Sequence, residues 1–254
     1  MRNTFLLFFL TPLSIVAQAI DWDHTIITED YSIYTSKNDP AILQIHPYLD
    51  QGIDFVTQFL RVKFKKKVNV YLFPDRDLMD QQWQQAWGYP GFKSECWMVG
   101  SGLESRLDLL SPTVWSEQAC EHDPNDTLEI KRLIIHELTH VLHSDCNRSS
   151  AFDNIDNIDW FVEGLATYVS GQLDKERISR MIAYIKETGG PTELSQFWAG
   201  EHKYGLSGSL VAYIDTAYGR KILSQLLEFN KLADILQTLS LTEAELIEQW
   251  KKSL

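Results

Sequence analysis

The run DPNDTLEIKRLIIHELTHVLHS, residues 123–144, constrains this chain more than any other stretch. Asp123 and Asp126 are helix-capping residues, whose short carboxylates accept from the free N–H groups of a first turn. Behind them Leu128, Leu133, Ile134, Leu138, Val141 and Leu142 recur at helical spacing. The pattern predicts one long helix. On a helix, residues four apart share a face, so His136 and His140 aim a ring nitrogen each at one point. Glu137 is the next residue round the axis and reaches the same space without having to ligate.

Two imidazoles on one face make a metal-binding pair, and a carboxylate beside them suits a base acting on a water that the metal holds. A catalytic zinc takes three protein ligands and leaves a fourth position open. Two continuations offer the third ligand. In one, the chain turns back at a glycine and a third ligand follows; the aligned positions here are His143 and Cys146. Cysteine binds zinc, but His143 lacks the conformational freedom that glycine brings to such a turn. Outside that role His143 reads as an ordinary polar helix residue. In the other continuation a glutamate on the following helix closes the site. Glu163, in WFVEGLATY (160–168), lies 23 positions after His140. It is surrounded by Trp160, Phe161, Val162, Leu165 and Ala166, and a carboxylate buried there needs a partner, which a metal provides. Gly164 and Ala166 are small and predict a close approach of this helix to the HELTH helix.

Upstream, residues 31–36 and 67–73 are β-branched, aromatic and alternating, and predict strands. Residues 40–62 begin at Pro40 and repeat Ile42, Ile45, Leu49, Ile53, Val56 and Leu60 at helical spacing. Residues 76–87 predict a short helix, and 96–112 two short strands or a hairpin with a Ser-Gly turn. From about 174 to 254 everything is helix-periodic, broken near 188–191, 199–208 and 217–221. The layout is α+β, with an N-terminal mixed α/β half holding a small sheet (20–125) and an all-helical C-terminal half (126–254). The site is expected in the cleft between them.

Composition excludes some roles. At 44% hydrophobic and 12% aromatic residues the chain can bury a sizeable core. Its formal charge of −12 makes it a poor nucleic-acid binder. The basic run at 61–71 reads as a solvated helix end. The start, MRNTFLLFFLTPLSIVAQA, has a positive charge at Arg2, a short apolar run interrupted by Pro12, and small residues at Ala17 and Ala19. It predicts a signal peptide over 1–19, export to the periplasm or the medium, and no stable membrane insertion after cleavage. Of the three cysteines, Cys120 and Cys146 flank a helix about 30 Å long, so Cys96–Cys120 is the favoured bridge.

The segments IIHELTHVL and DWFVEGLATYVSG resemble the gluzincin metallopeptidases of the broad peptidase MA group, and are similar to small bacterial peptidase-MA-like proteins. The resemblance spans about residues 65–230 in layout, but only those two segments are specific. It implies a zincin-like domain over 20–254, one Zn2+ held by His136, His140 and Glu163, and Glu137 as base and proton shuttle. It implies a peptide or protein substrate, bound in extended form along an edge strand within 98–110. It also implies a donor to the tetrahedral intermediate from the C-terminal half, with Tyr204 first and His202 second. Aminopeptidase relatives grip a free amino terminus with a G-x-M-E-N segment; WMVGSGLES departs from it, with Glu104 the nearest acidic residue. The competing expectation is a non-catalytic module binding protein or cell wall on the same scaffold, and the presence of Glu137 argues against it.

Overall fold

A computed structural model describes residues 22–35 and 39–254. The segment expected to be a signal peptide, 1–19, lies outside them. Among the described residues five strands form one sheet, in the order β1 (Asp23–Ile27), β2 (Tyr31–Thr35), β3 (Val68–Phe73), β5 (Arg106–Leu110) and β4 (Gly100–Leu103). β2, β3 and β5 run parallel, while β1 and β4 are antiparallel to their neighbours. The helices are α1 (Ile42–Leu60), α2 (Arg76–Ala86), α3 (Trp115–Gln118), α4 (Thr127–Cys146), α5 (Asp159–Val169), α6 (Lys175–Thr188), α7 (Lys203–Tyr218), α8 (Arg220–Leu226), α9 (Leu232–Leu239) and α10 (Glu243–Ser253). The chain is α+β as expected, with the sheet in the N-terminal half and helices alone after residue 126. No described helix is long and apolar enough to cross a membrane.

β3 is the middle strand and its β-branched and aromatic sequence fits that position: Val68, Val70, Leu72 and Phe73 are all fully buried. The register Ile33–Val70–Leu107–Gly102 crosses the sheet from β2 to β4. Its three apolar members are fully buried, and each such side chain contributes roughly 1.5–3 kcal/mol. The row ends at Gly102, against the backbone of α4.

α4 begins where the capping residue predicts, with Asp126 accepting from the N–H groups of Leu128 and Glu129 at 3.0 Å each. It runs through the middle of the molecule, buried without a break from Leu133 to Ser144. This is why its apolar residues do not form a single narrow stripe: α1, α5 and β4 each cover part of it.

Four expectations need correcting. β1, in DHTII, carried too little periodicity to be anticipated. The hairpin at 100–110 turns at Glu104 and Ser105, with Ser101 and Gly102 inside the strand, because the close approach of α4 needs a residue without a side chain there. Gly164 faces α7 and not α4: a Cβ on it would lie 2.5 Å from the Ser207 carbonyl oxygen. Thr167 of α5 similarly meets Gly208 of α7, so small residues set the α5–α7 contact. His143 is fully buried, its ring edge-on to Phe152 and Phe161, and is no surface polar residue. Cys96 and Cys120 form the favoured disulfide, leaving Cys146 as a half-buried thiol at the end of α4.

Candidate metal centre

The two histidines of α4 and the glutamate of α5 come together. His136 Nε2 lies 3.1 Å from His140 Nε2. Glu163 Oε2 is 3.7 Å from the first and 3.6 Å from the second. All three groups offer a donor atom within 4.8 Å of the others, so together they could hold a metal ion. Donor atoms about 2.0–2.2 Å from a tetrahedral zinc stand roughly 3.3 Å apart. The observed triangle is close to that size, and two imidazoles with one carboxylate are the donors zinc takes in a catalytic site. Cys146 is not part of the group.

Burial of Glu163 pushes its carboxyl up, but the two imidazoles outweigh it by charge and hydrogen bonding and hold it well below the usual carboxylate range. A carboxylate kept ionised in this way is ready to ligate. Glu137 is the opposite case. It is 7% exposed, and burial is the main force on it. His136 and a hydrogen bond from the Gly102 backbone pull its pKa down, while Glu163 and Asp108 push it up; the result is about 7. A carboxyl poised there can both accept and return a proton near neutral pH.

Below the pair, Asp108 on β5 accepts from Trp83 Nε1 at 3.0 Å and from Arg106 Nε at 2.7 Å. Burial still raises it to about 6. Asp108 adds a small upward push on Glu137, behind burial and Glu163.

A cavity of about 430 Å³ opens over this centre. Its walls come from both halves: Gly100, Ser101 and Gly102 of β4, His136, Glu137 and His140 of α4, Glu163 of α5, and Tyr204 at the start of α7. β4 is the last strand of the described sheet on this side, so its outer edge fronts the cavity. An extended segment could add to that edge by main-chain hydrogen bonds.

Tyr204 does enter the cavity. Its ring meets Trp198 edge-on at 4.9 Å, and its hydroxyl makes no hydrogen bond among the described residues. Burial and the nearby charges of Glu163 and Glu137 keep the phenol protonated, so it can donate. His202 is elsewhere: its ring lies 4.7 Å from that of Tyr184, and it lines a neighbouring cavity without His136 or His140. Glu104 is also away from the cavity. It sits in the β4–β5 turn, where Ser150 donates to its carboxylate at 3.1 Å.

The walls of the cavity carry no local signature in the sequence apart from their tryptophans. Trp97 and Trp198, Arg177 on α6 and Lys203 on α7 all line the cavity. So do His122 and Glu129, which bond each other at 2.7 Å while His122 reaches the Trp97 carbonyl at 2.9 Å. The tryptophans were the available signal, since large aromatic side chains in loop segments often face a cleft.

No family model matches the chain, and no curated protein matches it. Among solved structures it is similar to an aminopeptidase N family protein from Idiomarina loihiensis, at 12% identity and a TM-score of 0.46. That similarity covers 90% of this chain and 43% of the neighbour, so the chain spans less than half its length.

Proposed function

We propose that the chain is a zinc-dependent peptidase of the gluzincin type, acting outside the cytoplasm as one zincin-like domain once residues 1–19 are removed. The observation that carries this reading is the convergence of His136, His140 and Glu163 beside a buried Glu137, on the floor of a cavity fronted by the outermost strand of the described sheet. In this reading those three residues hold one zinc ion, which when bound supplies Lewis-acid activation of a water and a peptide carbonyl.

The chain's own residues do the rest. The β4 edge aligns an extended peptide so that its scissile carbonyl lies over the centre. Glu137 takes a proton from the attacking water as the new C–O bond forms. It returns that proton to the amine nitrogen as the C–N bond breaks. Tyr204 donates its hydroxyl to the oxyanion that develops on the carbonyl. The apolar walls of Trp97, Val162 and Trp198 limit competing water.

The test is zinc content and peptide cleavage measured together. The purified chain should bind about one zinc and cleave members of a peptide library, and chelation should abolish cleavage. Glu137→Gln should keep the zinc and lose cleavage by about a thousandfold or more. Zinc retained by the wild type with no peptide cleaved would overturn the reading.

A further inference from the structure

We propose that Arg177 makes this cleft selective for peptides that carry a carboxylate on its side of the centre. The inference rests on the peptidase reading above and names the substrate class for that site.

Arg177 stands on the first turn of α6, half-buried, in the wall of the cavity that holds His136, His140 and Glu163. Its guanidinium makes no hydrogen bond and no ion pair among the described residues; Asp174 acts on it only at longer range. That is unusual for an arginine taken part-way out of water, since five N–H donors lose solvent there. Among the other half-buried arginines, Arg132 likewise has no hydrogen-bond or ion-pair partner among the described residues, but it does not line the cavity, while Arg76 and Arg220 are satisfied. Arg76 donates to Ser94 Oγ and to the carbonyls of Glu95, Cys96, Met98 and Gln118. Arg220 pairs with Asp215 through two nitrogens. Arg177 keeps its planar fork free, and that fork fits a carboxylate with two parallel hydrogen bonds.

Its place relative to the chemistry is set by Tyr204. The Arg177 guanidinium carbon lies 5.3 Å from the Tyr204 ring centre, and Tyr204 in turn feels the charges of Glu163 and Glu137. Arg177 and Tyr204 thus share the cavity wall with His136, His140 and Glu163. It also lines an adjoining cavity of about 490 Å³, together with Arg180, so the space continues past the guanidinium.

Charge runs the same way. The chain carries −12 overall, yet this end of the cleft gathers Arg177, Lys203 and Arg180. The carboxylates of Glu121 and Glu201 share its walls without pairing to Arg177. Lys203 is already engaged, its ammonium 4.5 Å from the ring centre of Trp198, 5.3 Å from Tyr204 and 5.6 Å from Trp97. Arg180 lies 3.9 Å from Glu176, and Arg177, which faces the Tyr204 ring alone, has no hydrogen-bond or ion-pair partner for its guanidinium among the described residues. The carboxylate it binds is either a peptide's own C-terminus or an aspartate or glutamate side chain near the scissile bond.

The test compares matched peptides on the zinc-loaded full chain: free C-terminal acid against amide, and glutamate against glutamine at the residues flanking the cleaved bond. In at least one pair the carboxylate form should show a KM lower by about tenfold, in line with a charge-assisted bidentate contact. In Arg177→Gln that gap should shrink to about twofold or less, with KM for the uncharged partner changed less than KM for the carboxylate form and the melting temperature preserved. Arg177→Lys should recover part of it. A preference in the first pair alone identifies the C-terminal source; one in the second identifies the side chain. Equal KM values throughout, or a preference that survives Arg177→Gln, would overturn the proposal while leaving the peptidase reading intact. If the wild type cleaves nothing, that reading falls. Calorimetric titration of the same peptide pairs then decides the carboxylate site: preference lost in Arg177→Gln supports it, and no preference overturns it.

Discussion

Gly102 of β4 lies so close to α4 that a Cβ on it would stand 2.1 Å from the carbonyl oxygen of Glu137. Two backbones meet at that point, and neither has a flexible side chain to give way. The contact fixes the height of Glu137 against the strand edge, and the Gly102 backbone N–H points back at the same carboxylate. Gly102→Ala must therefore separate strand and helix. We expect a loss of about 2–4 kcal/mol in unfolding free energy, typical of steric overlap in a packed interior, together with a fall in kcat larger than the change in zinc affinity. Urea unfolding and zinc titration of the variant check this; wild-type stability in Gly102→Ala would show that the strand is not held as described.

Zinc should act on stability through the three ligands alone. A ligand that binds only the folded chain adds about 2.7 kcal/mol when present at a hundred times its dissociation constant. The chelated wild type should gain on this order when zinc is restored, seen as a rise in melting temperature. His140→Ala and Glu163→Ala should lose most of the gain, since each removes one of three donors. Cys146→Ser and Glu137→Gln should keep it. A full gain in Glu163→Ala, or its loss in Cys146→Ser, would mean the third ligand is misassigned.

How much of this was legible in the sequence depended on distance along the chain. The cap at Asp126, the helix and the paired histidines are local, and the four-residue spacing fixed their shared face. Glu163 was legible because a carboxylate between Phe161 and Leu165 has few other uses. Contacts between elements were not. Ser101 and Gly102 read as a turn because that dipeptide usually is one; only the nearness of α4 makes glycine necessary inside a strand. Gly164 read correctly as a residue of close approach, but to the wrong helix. Arg177 carried no local pattern at all, since its significance comes from what fails to pair with it in the folded chain.

His143 makes a pH prediction whose sign is fixed by burial. Desolvation is the main cause and the neighbouring His140 the second; together they lower its pKa from 6.5 to about 3. Its Nδ1 is buried with no partner, and Nε2 has the Asn147 amide nitrogen at 3.4 Å. The unfolded chain therefore binds a proton near pH 6.5 that the folded chain refuses. The stability that neutral His143 permits is present above pH 6.5 and is lost as the pH falls towards 3. Between pH 7 and pH 5 this amounts to about 2 kcal/mol. His143→Phe, which keeps the ring contacts to Phe152 and Phe161, should be less sensitive to acid by that amount. Urea midpoints at the two pH values, measured in chelator so that metal affinity does not enter, provide the comparison. Parallel pH dependence in wild type and variant would place the titration elsewhere.

The Cys96–Cys120 bridge should matter more for substrate than for metal. It ties the segment leading into β4, which carries Trp97 and Met98, to the segment carrying Glu121 and His122, and all four residues line the cavity. Arg76 holds the same loop by donating to the carbonyls of Glu95, Cys96 and Met98, so some order survives without the bond. His136, His140 and Glu163 stand instead on α4 and α5, which pack directly on each other. Closing a loop of 24 residues' separation is worth about 3.5 kcal/mol in the chain-entropy view. The double variant Cys96→Ser, Cys120→Ser should lose roughly that much stability, keep one zinc, and raise KM by about tenfold, with kcat changed less. The physical reason is that loosening one wall costs peptide affinity in the bound and transition states alike, whereas Glu137 and its neighbours stay in place. A collapse of kcat at unchanged KM would instead show that the bridge positions the reacting groups themselves.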